Sequence, residues 1–315
     1  MNNFSWQTQR PFNAYSSYMK KEYGARIQKL SIDAGFTCPN RDGSISYNGC
    51  TFCSNEAFNP SYCREYASIT EQINEGIKFH QWRYKKVKQY FAYFQAYSNT
   101  YAPLEILQQR YSEALRHEKI CGLVLGTRPD CIDEEKIKYL HSLNKEYHII
   151  VEFGIESCYD KTLQKINRGH TFLQTKEALL LCKKYDLKTG GHLIFGLPGE
   201  TMEEMLKEAE IISSLPLDSI KFHQLQILKN TTMEKEYKQN SSLFHLFTFE
   251  EYKDFIISFL ERLSPKIVIE RFVSEVPSRY NVLSAWSSLR NESIVEQIET
   301  EMIKRNTYQG KYYKG

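Results

Sequence analysis

Three cysteines within one short segment are the residues of this chain whose type and spacing most directly permit chemistry. Cys38, Cys50 and Cys53 lie in a stretch rich in Asn, Asp, Gly and Ser, which are residue types that favour flexible loops. Two residues separate Cys50 from Cys53, so both thiolates can reach one metal centre, and the loop can fold back to bring Cys38 to it. Three thiolates suit either zinc or an iron–sulfur cluster.

Whether Cys63 joins these three thiolates decides what the site can do. With Cys63, four thiolates close the site, as in a structural zinc site, and no chemistry takes place at the metal. Without it, a [4Fe–4S] cluster keeps one iron that has no protein ligand, and that open position permits catalysis. The spacing alone leaves both alternatives open. Three further cysteines fit small buried apolar positions: Cys121, Cys158 and Cys182.

The composition is that of a globular protein. Of the 315 residues, 41% are hydrophobic and 25% are charged, which excludes disordered, collagen-like and fibrous classes. No apolar run approaches the roughly 18 residues of a membrane-spanning helix, and the N-terminus lacks the apolar core of a secretory signal. We therefore expect a soluble, cytoplasmic protein with no membrane association.

Two segments combine basic residues with aromatic ones, although the net charge of +3 is too small to indicate nucleic-acid binding by itself. The first segment is residues 78–88 and the second is the tail, residues 304–315. Cationic side chains can contact phosphates while aromatic rings stack on bases. The alternative interpretation is a solvated helix face for the first segment and a frayed end for the second.

Apolar runs of strand length alternate with amphipathic helical stretches along most of the chain. The predicted strands are Ile27–Asp33, Gln89–Gln95, Gly122–Thr127, His148–Glu156, Thr189–Phe195 and Ser219–Ile227. The predicted helices are Ile69–Val87, Pro103–His117, Asp133–Tyr147, Leu173–Tyr185 and Glu203–Leu215. Such repeated units build a parallel sheet with right-handed crossovers, so we expect an α/β fold that is either an open barrel or a doubly wound sheet.

Charged residues alternate with apolar ones in two of the predicted strands. Glu152 and Glu156 share the face that would point into a barrel, where a carboxylate is costly unless something binds it. Lys221 and His223 share the corresponding face of the last strand. Glu152, Lys221 and His223 are therefore the predicted catalytic side chains. An internal Lys–Glu ion pair that ties the strands together is the alternative.

Polar segments follow the carboxyl ends of five predicted strands. Active groups of parallel-strand barrels lie at this edge, so the convergence favours a catalytic role for the cysteines. The segments are the cysteine loop, Tyr97-Ser98-Asn99, Arg128-Pro129-Asp130, Glu156-Ser157 and Gly196-Leu197-Pro198-Gly199-Glu200.

Five motifs in order along the chain make the sequence similar to a known superfamily. They are Cys38-x11-Cys50-x2-Cys53, Thr127-Arg128-Pro129-Asp130, Glu152-Phe153-Gly154-Ile155-Glu156-Ser157, Asn167-Arg168-Gly169-His170-Thr171 and His192-Leu193-Ile194-Phe195-Gly196-Leu197-Pro198-Gly199-Glu200-Thr201. With them, residues 26–237 resemble the radical S-adenosylmethionine (SAM) superfamily. Within it they are similar to the YhcC/YtqA-like group, which is related to the catalytic subunit of the elongator complex.

The resemblance implies a partial (β/α)6 radical SAM barrel with an N-terminal lead-in over residues 1–237. Residues 238–315 are expected to form a small C-terminal α/β extension that packs on the barrel as a cap. A capping box at Thr248-Phe249-Glu250-Glu251 predicts a helix through Leu263 there. A strand over Lys266–Phe272 and a helix over Asn291–Asn306 are predicted to follow.

The resemblance also implies the cofactors and one partner. Cys38, Cys50 and Cys53 would hold a [4Fe–4S] cluster, and SAM would bind the fourth iron through its amino and carboxylate groups. A reduced cluster cleaves SAM to methionine and a 5′-deoxyadenosyl radical, which removes a hydrogen atom from the substrate. An electron donor such as flavodoxin or ferredoxin is expected, and the sequence predicts no particular oligomeric state.

Nine residues match positions that contact SAM in such a site. Phe52 has the aromatic position near the adenine, and Glu156 and Ser157 match positions near the ribose. The segment Gln95-Ala96-Tyr97-Ser98 stands where many relatives carry Gly-Gly-Glu for the methionine amine, so this sequence departs from the pattern there. The predicted cofactor-binding residues are Phe52, Gln95, Tyr97, Ser98, Arg128, Glu156, Ser157, Ile194 and Gly196.

The resemblance makes tRNA the expected partner. The elongator relative acts on a wobble uridine and uses an acetyltransferase domain, for which residues 238–315 are too few, so acetyl-CoA addition is not expected. The YtqA-like resemblance instead implies conversion of a carboxymethylaminomethyl side chain of the wobble uridine to aminomethyl. A radical SAM enzyme acting on a small metabolite or a peptide is the alternative, and a zinc-bearing adaptor that uses Cys63 is a third.

Overall fold

A computed structural model describes residues 4–63, 67–82, 87–283, 286 and 289–315. Its centre is one parallel sheet of seven strands in chain order. The strands are β1 (Gln28–Ile32), β2 (Tyr90–Phe94), β3 (Ile120–Thr127), β4 (His148–Glu156), β5 (Lys188–Phe195), β6 (Ser219–Gln224) and β7 (Val268–Arg271).

Helices connect the strands and cover the outer face of the sheet. They are α1 (Tyr15–Tyr23), α2 (Ile69–Gln81), α3 (Leu104–Leu115), α4 (Glu134–Leu143), α5 (Asp160–Lys165), α6 (Phe172–Lys184), α7 (Met202–Ser213), α8 (Thr232–Gln239), α9 (Phe249–Arg262) and α10 (Asn291–Lys304). Single 3₁₀ turns lie at Asn55–Ala57, Pro129–Cys131, Ser241–Leu243 and Ser278–Tyr280. None of the helices in the described ranges is long and apolar enough to cross a membrane.

Local sequence signals fix where several of these helices begin. Capping boxes start α2, α6, α7 and α9, in which a Ser or Thr side chain and a Glu or Gln three residues later satisfy the first free N–H groups. The capping residues are Ser68, Thr171, Thr201 and Thr248. Each cap follows a loop at the carboxyl edge of the sheet or in the C-terminal segment, so the caps also set where the loops end.

The sheet curls into a half-barrel. Lys29 of β1 and Glu270 of β7 approach to 2.7 Å although these strands are the two edges of the sheet. The inner bottom of the half-barrel is apolar, because Phe91, Val124 and Ile150 pack there against Met19 of α1. The helix α1 therefore closes the amino end of the barrel, and the carboxyl end remains open.

The predicted open α/β barrel is confirmed, and the elements differ from the prediction in three places. A seventh strand, β7, comes from the C-terminal segment and pairs with β6, so the sheet extends beyond the six predicted strands. The strand predicted to reach Ile227 ends at Gln224, because its partner strand β5 ends at Phe195, the residue that pairs with Gln224. The predicted helix Ile69–Val87 is helical through Gln81, and residues 83–86 lie outside the described residues.

Candidate active site

The three clustered cysteines and the carboxyl ends of the strands enclose a cavity of about 240 Å³. We call it the reaction cavity. Cys38, Cys50 and Cys53 line one side of it, and side chains from β2, β4, β5 and β6 line the floor and the opposite wall. Four of the five segments predicted to converge on one rim contribute to this lining, whereas no residue of the fifth, Gly196-Leu197-Pro198-Gly199-Glu200, lines the cavity.

The cysteine loop is held in place by the turn that follows α5. The Asn40 side chain donates to the carbonyls of Asn167 and Arg168 at 2.6 and 3.0 Å. The Thr51 N–H donates to the Ile166 carbonyl at 3.0 Å. Because these bonds join the loop to the end of β4 through α5, the motif Asn167–Thr171 has a positioning role that its sequence does not reveal.

The surroundings of the thiols suit an anionic cluster. The Arg168 guanidinium lies 3.5 Å from the Cys50 sulfur and the Asn40 amide lies 3.6 Å from it. Arg41 donates to the Cys53 carbonyl at 3.1 Å, which keeps a second guanidinium beside the loop. N–H donors and cations around thiolates are what a [4Fe–4S] cluster needs, since hydrogen bonds to sulfur and local charge tune such a centre. The residues present therefore fit the cluster.

The geometry differs from that of a single-ion site. Among the described residues, no three Cys, His, Asp or Glu side chains converge as ligands of one metal ion. A cubane cluster does not require such convergence, because each thiolate binds a different iron. Cys63 does not line the reaction cavity, and its thiol donates to the Ser31 carbonyl at 3.1 Å. Burial raises the pKa of Cys63 to about 12, so it is a protonated thiol at neutral pH.

Seven of the nine residues predicted to bind SAM line the reaction cavity. Two of them, Tyr97 and Glu156, have positive φ angles of 63° and 67°, a conformation that few non-glycine residues adopt and that is typical of functional sites. A Cβ on Gly154 would lie 2.4 Å from an Arg168 nitrogen, so the glycine lets that guanidinium reach the wall. The seven are Phe52, Gln95, Tyr97, Ser98, Arg128, Glu156 and Ile194.

Ser157 and Gly196 do not line the cavity. The Ser157 hydroxyl donates to the buried Glu200 carboxylate, because the chain turns away from the cavity after Glu156. Gly196 has a φ of 94° and lies against the His245 carbonyl, where a Cβ would be only 2.4 Å away. Both residues shape the backbone behind the cavity rather than its surface.

Two of the predicted catalytic residues belong to an ion-pair network beneath the cavity, which we call the floor network. Glu152 contacts the ammonium group of Lys221 at 2.6 Å and also that of Lys29. Glu270 contacts Lys29 at 2.7 Å and Lys221 at 3.2 Å. Glu152 still lines the cavity, whereas Lys221 does not. The ion pair that the alternation left open as an alternative is therefore present.

The protonation states of the floor network follow from burial and from these partners. Burial alone disfavours the Glu152 carboxylate, but Lys221 and Lys29 outweigh it and hold the pKa of Glu152 well below its usual value. Burial lowers the pKa of Lys221 to about 8, while Glu152 and Glu270 oppose this shift. Lys29 has a pKa well above its usual value despite burial, because both carboxylates face it. Two carboxylates thus balance two ammonium groups.

His223, the third predicted catalytic residue, stands above the floor network. It lines the reaction cavity, and its Nε2 is buried without a hydrogen-bond partner in the described part of the chain. The ring stacks on His192 with 5.4 Å between centroids, and His192 Nε2 lies 3.2 Å from Glu152. Burial, reinforced by His192 and Arg271, lowers the pKa of His223 well below its usual value, so its ring is neutral at pH 7.

Four side chains of the cavity were missed by sequence reasoning. His192 and Arg168 lie within quoted motifs, and strand alternation with Ile194 would have put His192 on the inner face. Arg41 lies in the cysteine loop, where no periodicity predicts a direction. Arg271 ends β7, a strand that was not expected to join the sheet.

A larger groove continues from the reaction cavity toward the surface. This outer groove has a volume of about 950 Å³ and runs between the loop after β1 and the segment after β7. Exposed Phe58 and Phe79 line it on one side, and Gln226, Asn281 and Arg290 line it on the other. The two cavities share the lining residues Phe58, Asn59, Gln95, Gln224, Leu225, Gln226, Arg271 and Ser274.

The two basic segments differ in their position. In the first, Phe79 is exposed and lines the outer groove, Trp82 is exposed, and residues 83–86 lie outside the described residues. The tail is not a frayed end: Lys304 pairs with Glu301 at 3.5 Å, and Arg305 pairs with Asp254 and Glu301. The buried Gln309 side chain donates to the Ile267 carbonyl at 2.9 Å, before the amino end of β7 and therefore away from the reaction cavity.

Family models match most of this architecture. The radical SAM superfamily model matches residues 40–212, and the radical SAM C-terminal domain model matches residues 217–304. The chain therefore belongs to the radical SAM superfamily, whose members bind a [4Fe–4S] cluster and SAM. The predicted superfamily and cofactors are confirmed.

Individual relatives refine this membership. The chain is 30% identical to YtqA of Bacillus subtilis over 98% of this chain and 94% of that protein, and 32% identical to YhcC of Escherichia coli over 92% of each. A tRNA uridine(34) acetyltransferase of Methanocaldococcus jannaschii is 28% identical over 62% of this chain and 36% of its own length. The solved structure of Elp3 from Methanocaldococcus infernus shares the fold with a TM-score of 0.67 and 17% identity, over 90% of this chain and 64% of that one.

Proposed function

We propose that this chain is a radical SAM enzyme that converts the carboxymethylaminomethyl side chain of a tRNA wobble uridine to aminomethyl. The observation that carries the proposal is the continuity of the reaction cavity with the outer groove, since eight residues line both. A deep cavity that opens into a larger groove can receive one nucleotide while the rest of the macromolecule stays outside. Modifying enzymes commonly extrude the target base in this way.

Cys38, Cys50 and Cys53 would hold the [4Fe–4S] cluster, and Arg41, Arg168 and Asn40 would stabilise its charge. When bound, the cluster and SAM would supply a 5′-deoxyadenosyl radical that removes a hydrogen atom from the carbon between the side-chain nitrogen and the carboxylate. Transfer of one further electron from this carbon to an oxidised iron–sulfur centre would give a C=N bond, which water hydrolyses to the aminomethyl group and glyoxylate, so SAM is the net oxidant. The cavity residues Phe52, Gln95, Tyr97, Ser98, Arg128, Glu156 and Ile194 would contact SAM. Flavodoxin or ferredoxin is the proposed class of electron donor.

The residues on the other side of the cavity would hold the substrate side chain. His223 offers an unpartnered Nε2, and in its neutral form this nitrogen can accept a hydrogen bond from the side-chain amine. Glu152 orients His192, which stacks on His223 and fixes the direction of that ring. Lys221 keeps Glu152 ionised from below the cavity, so its role is positioning.

Two further features favour tRNA as the partner. Exposed aromatic rings surround the mouth of the two cavities, and such rings stack on unpaired bases. The relatives that are named tRNA uridine(34) acetyltransferases act, by that name, on the same position of tRNA. The exposed rings that line the two cavities are Phe58, Phe79 and Tyr97.

The test is anaerobic turnover of the reconstituted holoenzyme on tRNA that carries the carboxymethylaminomethyl group at the wobble uridine. We expect aminomethyluridine in the digested tRNA, detected by mass spectrometry, together with 5′-deoxyadenosine. Cells without the gene should accumulate the carboxymethylaminomethyl nucleoside. The Cys50→Ala variant is the control, because it lacks a cluster ligand.

Formation of 5′-deoxyadenosine without any change in tRNA nucleosides, in vitro and in cells, would contradict the proposal. A small-molecule or peptide substrate would then become the preferred alternative. Bound RNA in anaerobically purified protein would argue against that alternative.

A further inference from the structure

Arg271 lies where the reaction cavity meets the outer groove, and it lines both. Its side chain is exposed and forms no hydrogen bond or ion pair with any residue that the structure describes. A guanidinium carries five N–H donors in a fixed plane, so an unpaired one in a cavity wall has unused capacity for a planar anion.

A β-bulge aims Arg271 at the cavity. Ile220 pairs with Ile269 but Lys221 pairs with Arg271, so Glu270 is an extra residue on β7. Residues that pair across a parallel ladder face the same side, and Lys221 faces the barrel interior. Glu270 and Arg271 can therefore both reach the interior side, which regular alternation would forbid.

The charges around Arg271 are otherwise balanced. Glu270, its neighbour in sequence, is bound by Lys29 and Lys221, and these ammonium groups also bind Glu152. Among the other arginines of the cavity, Arg128 forms a two-bond pair with Asp130 at 2.7 and 2.9 Å.

Arg168 lies 3.3 Å from Glu156, and Arg41 is bonded to the cysteine loop. Within the described residues, Arg271 is thus the cavity arginine that lacks both a carboxylate and a backbone partner.

The backbone after Arg271 is fixed. Gln224 accepts from the Ser274 N–H at 3.0 Å and donates to the Ser274 carbonyl at 3.0 Å. Gln226 donates to the same carbonyl at 2.6 Å. These three bonds tie the chain three residues beyond Arg271 to the end of β6, so the guanidinium projects from a held segment rather than from a free loop.

We propose that Arg271 binds the carboxylate of the substrate side chain at the junction of the two cavities. This inference rests on the proposed function, in which the substrate carries a carboxymethyl group and the product does not. His223 would hold the amine deeper in the cavity while Arg271 holds the carboxylate at its mouth. Release of the carboxymethyl carbons as glyoxylate then removes the Arg271 contact, so the enzyme favours substrate over product and releases the aminomethyl nucleotide.

The experiment measures binding without turnover. The SAM-loaded holoenzyme, kept without reductant, is titrated with two anticodon stem-loops that differ only in a carboxymethylaminomethyl or an aminomethyl wobble uridine. We expect the wild-type protein to bind the carboxylate-bearing loop about tenfold more tightly, the size of one charge-assisted contact. Arg271→Gln should bind both loops alike, and Arg271→Lys should keep part of the preference.

Arg279→Gln is the matched control, since Arg279 is an exposed arginine near β7 that lies over Tyr280 and lines neither cavity. It should keep the full preference. Equal binding of both loops by the wild-type protein, or an undiminished preference in Arg271→Gln, would overturn the role of Arg271. Turnover assays separate the role of Arg271 from the proposed function. The proposed function fails if the wild-type enzyme binds the carboxylate-bearing loop more tightly but does not convert it.

Discussion

Two polar regions lie one above the other in the half-barrel, and they are built differently. In the floor network, Lys29, Glu152, Lys221 and Glu270 satisfy one another almost completely. At the rim above it, Asn40 Oδ1 and His223 Nε2 are buried without partners among the described residues, and the exposed Arg271 guanidinium lacks a partner there as well. Buried polar groups are usually hydrogen-bonded, so unsatisfied ones are informative. We infer from this difference that the floor network contributes mainly to stability and that the rim binds the ligands.

The largest expected effect comes from the rim. Changing Cys38, Cys50 or Cys53 to Ala should abolish both iron binding and SAM cleavage, because a cluster with three protein ligands loses one of them. The measurements are the iron content, the visible absorbance and the yield of 5′-deoxyadenosine from anaerobically reconstituted protein. Cys63→Ser is the matched control, and loss of the cluster in that variant would restore the four-thiolate site.

A large effect of a different kind is expected in the floor. Lys221→Met should destabilise the fold by about 3–5 kcal/mol, because it leaves Glu152 buried with one partner fewer. Chemical denaturation of the apoprotein measures this change. The double variant Glu152→Leu/Lys221→Met should recover part of the loss, since no charge is then left unpaired. A Lys221→Met protein as stable as the wild type would remove the distinction between floor and rim.

His223 should show the reverse behaviour. His223→Asn should lower turnover on tRNA by about tenfold, the worth of one lost substrate hydrogen bond, while the free energy of unfolding near pH 7 stays within about 0.5 kcal/mol. Steady-state kinetics and denaturation on one preparation provide both values. A loss of stability with unchanged kinetics would show that His223 stabilises the fold, as the floor network does, and does not bind substrate.

The same residue predicts a pH dependence of stability. The pKa of His223 is lowered in the folded protein, so below pH of about 6.5 only the unfolded chain takes up this proton, and stability falls as the pH falls. The slope contributed by one such group is at most about 1.4 kcal/mol per pH unit. Wild-type protein should lose more stability than His223→Asn between pH 6.5 and 5.5. Parallel curves for the two proteins would contradict the lowered pKa.

The smallest effect is expected in the tail. Lys304→Gln with Lys311→Gln should change tRNA affinity by less than about twofold, because exposed charges far from the bound ligand contribute little in salt. Lys304 is paired with Glu301, and the tail lies at the amino end of β7, opposite the rim. Binding titrations over a range of salt concentrations test this. A drop of about one unit in the log–log salt slope would instead show a phosphate contact there.

The residues of the floor network and of the cysteine loop were predicted from the sequence more accurately than those of the opposite cavity wall. Alternation in β4 and β6 put Glu152, Lys221 and His223 on the inner face, because strand periodicity is a local property. It could not tell that Lys221 lies below the cavity, since depth along the barrel depends on the curl of the whole sheet. Ser157 was expected near SAM but turns toward Glu200, after a positive φ at Glu156 that ordinary propensity does not predict.

The position of β7 in the cavity wall could not be predicted from the sequence for a similar reason. The strand Lys266–Phe272 was expected in a separate cap, but pairing with β6 depends on contacts between residues far apart in the chain. The bulge that aims Arg271 inward follows from a one-residue shift in that pairing. Nothing in the local pattern of residues 266–272 distinguishes the shifted register from the regular one.

The side chain and backbone of Gln309 join the two ends of the chain through hydrogen bonds. The Gln309 side chain accepts from the Asn13 N–H at 2.9 Å, across a separation of 296 residues, and its backbone N–H donates to the Pro11 carbonyl. It also holds the carbonyls of Ser264 and Ile267. The segment before α1 can form these hydrogen bonds only after residue 309 has been synthesised. Gln309→Ala should lower the free energy of unfolding by about 1–3 kcal/mol, because the Asn13 N–H and the carbonyls of Ser264 and Ile267 would lose this partner.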